Sequence, residues 1–131
     1  TSGPMPTQMR RICMRPEAMS ILWDVKVASE RIAEFIEGLD EAGYVADPLR
    51  RSAVERQLEI IGEALKNLRN ADSETAQGIP EIARIIGLRN VLAHGYAVVD
   101  DSVVWGAAAS RVPELKVAVE AMLDTECDAG N

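Results

Sequence analysis

The strongest constraint on this chain is a stripe of five apolar residues, Val54, Leu58, Ile61, Leu65 and Leu68, stepping four, three, four, three. That spacing puts all five on one side of an α-helix, and a strand would scatter them over both faces. Glu and Arg fill the positions between, so the helix buries one side and solvates the other. Its start is marked as well. Asp47 is a good N-cap, and Pro48 suits the first helical position, where its missing N–H would be unpaired anyway. The partners of such a stripe are expected to be other helices. The chain is rich in Ala, Leu and Glu and has a single Phe, a balance that leans away from strands.

Three further helical stretches are legible. One runs from about Pro16 to Leu39, with Leu22, Val25, Ile32, Ile36 and Leu39 at helical steps and Ser29 interrupting them. Gly43 and Asp47-Pro48 mark a turn, and Asn70 to Gly78 reads as a polar loop. Pro80 is expected to open the third helix. Its Ile82, Ile85, Ile86, Leu88, Val91 and Leu92 cover more than one face, as in a helix covered by the core on one side and by a partner chain on another. Asp100-Asp101-Ser102 can cap a fourth helix from about Val103 to Leu123, which Pro113 should kink or split. The expected fold is all-α, an up-and-down four-helix bundle.

At 131 residues the chain is long enough for one domain with its own core. We assign that domain to residues 16–124. Residues 1–15 read as a flexible extension, with 1–4 (Thr-Ser-Gly-Pro) a tag remnant, and 125–131 as a disordered tail. No apolar run approaches the roughly 20 residues that cross a bilayer. Arg10, Arg11 and Arg15 are followed by no apolar stretch, so the start does not read as a secretory signal, and a cytoplasmic location is the default. Cys13 and Cys127 stand near opposite ends and suggest neither a metal site nor a disulfide. The net charge of −7 argues against broad nucleic-acid affinity, which needs clustered Lys and Arg. Any RNA chemistry must rest on a local site.

One stretch offers such a site: Gly87-Leu88-Arg89-Asn90-Val91-Leu92-Ala93-His94-Gly95-Tyr96. It holds the only histidine, an arginine five residues before it and a tyrosine two after it. Arg89 and Asn90 interrupt an aliphatic helix, and a buried unpaired charge is costly, so Arg89 needs a partner or an aqueous cleft. Asn90 and His94 are four apart and share a face, while the long stem of Arg89 can swing round to it. Gly95 lets the backbone bend. The set combines a proton-transfer group titrating near neutral pH, a bidentate phosphate binder, an orienting amide and a phenol. These suit cleavage of RNA through its 2′-hydroxyl, which needs a base, an acid and positive charge on the transition state, and neither metal nor cofactor. One histidine does not easily fill both proton-transfer roles. A two-fold homodimer bringing this helix together with its copy would supply two.

The Arg-x4-His spacing with a polar residue after the arginine resembles the motif of the HEPN ribonucleases, and the extension to His-x-Tyr resembles its HepT-like toxins. Ala53 to Ala64 (AVERQLEIIGEA) is similar to that family's second-helix signature, and Val104-Trp105 and Val112-Pro113-Glu114-Leu115 to its fourth helix. The likeness spans about Ala18 to Leu123. It implies a metal-independent endoribonuclease toxin with Arg89 and His94 as catalytic pair and Asn90 in support. It also implies that Tyr96 receives AMP from a cognate minimal nucleotidyltransferase antitoxin, which would place a bulky phosphodiester beside the Arg89 phosphate site.

Plainer roles stand beside these. Arg89 is a candidate for a salt bridge, His94 for a packed residue and Tyr96 for an interface hydrogen bond. Glu59 and Glu63 can reach the third helix as structural partners of Arg89, Trp23 and Trp105 suit a core or a dimer contact, and the Arg10, Arg11, Arg15 cluster a solvated end. Two other functions fit the same residues: a catalytically silent partner of a nucleotidyltransferase, and a helical dimerisation module.

Overall fold

The computed structural model describes residues 14–94 and 98–124. Among them there is no strand, and the all-α class expected from the sequence holds. Helix α1 (Pro16–Ile36) buries Leu22, Val25 and Ile32. Ser29 is buried with them, its hydroxyl donating to the Val25 carbonyl at 2.8 Å, so the apparent gap in the stripe is a satisfied polar residue. The helix stops at Ile36 rather than Leu39, because Gly38 adopts a left-handed φ of 80° and turns the chain away. The expected turn that follows holds a short helix, α2 (Glu41–Val45), capped by the Asp40 carboxylate on the Gly43 N–H at 2.8 Å.

Helix α3 (Pro48–Ala71) starts at Pro48, with Asp47 accepting from the Arg50 N–H at 3.1 Å. All five stripe residues are buried, and α3 packs most extensively against α1 and then against the motif helix. Deleting one of these leucines to alanine would cost about 2–5 kcal/mol.

The stretch read as a loop, 70–78, is instead largely helical. Helix α3 runs on to Ala71, and a four-residue α4 (Ser73–Ala76) follows, nucleated by Asp72, which accepts from both the Thr75 N–H (3.1 Å) and its hydroxyl (2.7 Å). Helix α5 (Ile82–His94) then starts two residues later than Pro80 suggested. Glu81 sits at φ 55°, and its carbonyl accepts the first helical N–H groups, from Arg84 and Ile85.

Helix α6 (Asp101–Gly106), capped by Asp100, leads without a break through a π-helical turn (Ala107–Arg111) into α7 (Val112–Asp124). Pro113 therefore splits off no segment. Its ring would crowd the carbonyl four residues back. The widened turn just before it, in which the Val112 N–H reaches the Ala107 carbonyl, makes room for that ring. Helix α7 packs on α1, so the long helices share one core. Trp105 packs on buried Tyr44, ring centroids 5.4 Å apart, but Trp23 is 54% exposed beside the Lys26 ammonium and is no core residue. Arg15 donates to the Ala71 carbonyl at 3.0 Å, which ties the start of α1 to the end of α3. Arg10, Arg11, both cysteines and the 125–131 tail lie outside the described residues. No described helix is long and apolar enough to cross a membrane.

Candidate functional site

Helix α5 has two different sides. Ile85, Ile86 and Leu92 are buried against the core, with Ile82 and Leu88 partly so. The opposite side, with Gly87, Asn90, Val91 and His94, is exposed in the single chain. The core thus covers one side of α5, as expected, and the side expected to meet a partner chain is the exposed one.

Arg89 lies at the boundary of these sides, its side chain 22% exposed. It reaches α3 by way of a glycine. A Cβ on Gly62 would fall onto the Cβ of Arg89 and come within 2.6 Å of its Cγ. The two helices can therefore approach here only because position 62 has no side chain. A glycine inside a helix costs about 1 kcal/mol relative to alanine, so this close passage is the physical reason to keep one. In the sequence Gly62 stands out only as part of the Ala53 to Ala64 segment that resembles the family's second helix.

The guanidinium then meets two partners. Glu63 on α3 pairs with it at 2.6 Å, and the Asn90 amide oxygen accepts from it at 2.9 Å. The sequence therefore identified Glu63 correctly as a possible partner of Arg89, whereas Glu59 pairs with Arg56 at 3.4 Å. Of the predicted set, Arg89 and Asn90 are in direct contact, and His94 follows Asn90 one turn later on the exposed side, at the last residue of α5. Tyr96 and Gly95 lie outside the described residues.

Beside Arg89 and Ala93 opens a groove of about 560 Å³ between α1, α3 and α5. Three arginines line it (Arg31, Arg56 and Arg89), together with Asp24, Glu59 and Glu63. The groove is thus balanced in formal charge while the chain as a whole is strongly acidic. A local anion site can exist here despite that background, because its arginines act at contact distance while distant carboxylates are screened. Among the described residues no three His, Cys, Asp or Glu side chains are grouped so as to hold a metal ion.

A second polar cluster lies away from this groove. Arg51 on α3 pairs with Asp101 on α6 at 3.0 Å. Burial pushes the nearby Glu55 carboxyl above its ordinary value, with Asp101 adding to the effect, and burial also raises the Tyr44 phenol.

Comparison with known proteins brings these features under one heading. The Ribonuclease HepT-like family matches residues 25–122. A candidate RNase of Methanocaldococcus jannaschii is 32% identical over 104 residues, covering 79% of this chain and 94% of that protein. Another, from Caldanaerobacter subterraneus subsp. tengcongensis, is 34% identical over 112 residues, 86% of this chain and 96% of that one. A candidate ribonuclease HepT of Thermococcus cleftensis is 36% identical over 105 residues, 79% of this chain and 93% of its own length. No solved structure gives a significant match. The chain belongs to the HepT-like ribonuclease family, and its activity class is that of a HEPN-type ribonuclease acting on RNA.

Proposed function

We propose that the protein is a metal-independent endoribonuclease toxin that cleaves RNA at a site shared by two copies of α5. The observation that carries this reading is the arrangement on that helix. An arginine is held at the edge of a groove by a neighbouring amide, and the only histidine is exposed one turn further on.

In this reading one His94 takes the proton from a ribose 2′-hydroxyl, and the resulting oxygen attacks the adjacent phosphorus. The 5′-oxygen leaves and receives a proton from the partner subunit's His94. The products are a 2′,3′-cyclic phosphate and a free 5′-hydroxyl. Arg89 donates N–H groups to the non-bridging oxygens as charge builds on them, and Asn90 holds the guanidinium. The two-fold arrangement is supported by the exposed side of α5. Gly87 lies there with open space around it, beside a Val91 that is 39% exposed, so a second helix can approach closely. Neutralisation would follow from AMP transfer to Tyr96 by a cognate minimal nucleotidyltransferase. An adenylyl phosphate two residues beyond His94 would compete with RNA for Arg89.

The test is induced expression of the wild type beside His94→Ala and Arg89→Ala, with total RNA examined from each culture and cleavage repeated in vitro with and without EDTA. The expected result is growth arrest and RNA fragmentation by the wild type alone, unaffected by the chelator. Co-expressed nucleotidyltransferase should suppress the wild type but not Tyr96→Phe. A folded wild type that leaves RNA intact and bears no AMP would replace the toxin reading with that of a silent nucleotidyltransferase partner.

A further inference from the structure

The guanidinium of Arg89 has five N–H donors, and it is held by one hydrogen bond and one ion pair on different nitrogens. The Asn90 amide sits on its own helix at 2.9 Å, and the Glu63 carboxylate on α3 at 2.6 Å. Contacts to two separate helices restrict a long side chain that would otherwise sweep several rotamers. The remaining N–H groups are left for an anion. Glu63 is itself 48% exposed, so solvent screens the pair and its contribution to folding is small. It nevertheless follows directly on Gly62, the residue that allows Arg89 to lie against α3 at all. The ion pair and the close passage therefore belong to one local arrangement, whose visible result is a fixed guanidinium at the groove.

We propose that Glu63 is a positioning residue for RNA cleavage, fixing the Arg89 guanidinium through their close ion pair while its charge weakens the hold of Arg89 on ground-state phosphate. The proposal rests on the reading that Arg89 binds the scissile phosphate. The two effects separate because they act on different states. A negative charge in contact with Arg89 offsets its attraction for an incoming phosphate, which raises KM. The orientation of the N–H groups matters most when the phosphorane-like transition state develops additional charge on its oxygens, and this appears in kcat.

Two substitutions divide the effects. Glu63→Gln keeps a side-chain oxygen of the same reach beside the guanidinium but removes the charge. Glu63→Ala removes both. Cleavage of a short mixed-sequence single-stranded RNA should show Glu63→Gln with KM lowered about threefold or more and kcat within about twofold of wild type. Glu63→Ala should lose about tenfold or more in kcat without a rise in KM. Thermal unfolding of both should stay near the wild type. An unchanged kcat in Glu63→Ala, or a kcat loss in Glu63→Gln equal to that in Glu63→Ala, overturns the proposal. Arg89→Ala in the same assay distinguishes the two levels. If it is inactive while Glu63→Ala is unimpaired, only the role of Glu63 falls. If Arg89→Ala or the wild type shows that Arg89 takes no part in cleavage, both readings fall together.

Discussion

Among the described residues, two arginine–carboxylate pairs join α3 to its neighbours, and they differ in what surrounds them. Arg51–Asp101, at 3.0 Å, connects α3 to α6, with both side chains about a quarter exposed and Glu55 nearby. Arg89–Glu63, at 2.6 Å, connects α5 to α3, but its carboxylate is half exposed and a groove opens beside it. The first pair fastens α3 to α6. The second needs a missing side chain at Gly62 to form, and beside it stand Asn90 and His94 facing outward. Both join a guanidinium to a carboxylate, so an ion pair by itself says little about function. Access, and the cost that neighbouring residues bear to keep the pair where it is, separate a fastener from a site.

The contrast is broken most severely by exchanging the two arginines for alanine. Arg89→Ala should lower the cleavage rate by about 100-fold or more, as expected when a transition-state charge donor is removed, with little change in melting temperature. Arg51→Ala should do the reverse, leaving cleavage within about threefold while lowering the melting temperature by about 2–4 °C. Equal losses of cleavage in both variants would show that Arg89 acts only through the fold.

Gly62→Ala comes next. The new methyl group meets the Cβ and Cγ of Arg89, atoms too close to the α5 backbone to swing aside, so α5 must shift. We expect a destabilisation of about 1–3 kcal/mol in chemical denaturation, accompanied by loss of cleavage. Retained activity and stability would mean that the two helices can separate at no cost and that the guanidinium is not held.

The smallest effect belongs to the fastening side. The Glu55 carboxyl is raised above its ordinary value by burial and by Asp101, so the folded state holds a proton more tightly than the unfolded chain does. Stability from this group is present below the ordinary glutamate value and is lost as pH rises through the folded value. Glu55→Gln should therefore raise the melting temperature by about 1–2 °C at neutral pH, with the gain vanishing in mild acid. A gain independent of pH would assign it to something other than the buried charge.

Much of this was legible in the sequence, for definite reasons. The α3 stripe could be read because its spacing and its Asp-Pro start are local signals that tertiary packing reinforces. The short helices α2 and α4 were not, because each depends on one aspartate cap and a few residues that give no periodic pattern. The start of α5 was misplaced because Pro80 is a good helix opener in general, whereas here Glu81, in a left-handed conformation, supplies the first acceptor. Around the site, the residues carrying reactive groups stood out by type and order. The glycine that allows them to assemble did not, since its role depends on a helix that arrives about 20 residues later in the chain.

What the amino-acid order determined by itself is the helical character of the chain, its main apolar faces and the grouping of Arg89, Asn90 and His94 within two turns of one helix, because these are consequences of a fixed helical period. What only the tertiary structure decided is which partner Arg89 takes, which side of α5 faces solvent and where the groove opens. Those depend on how closely two helices can pass. That distance is set by side-chain volume at their crossing, a property of residue pairs far apart in sequence.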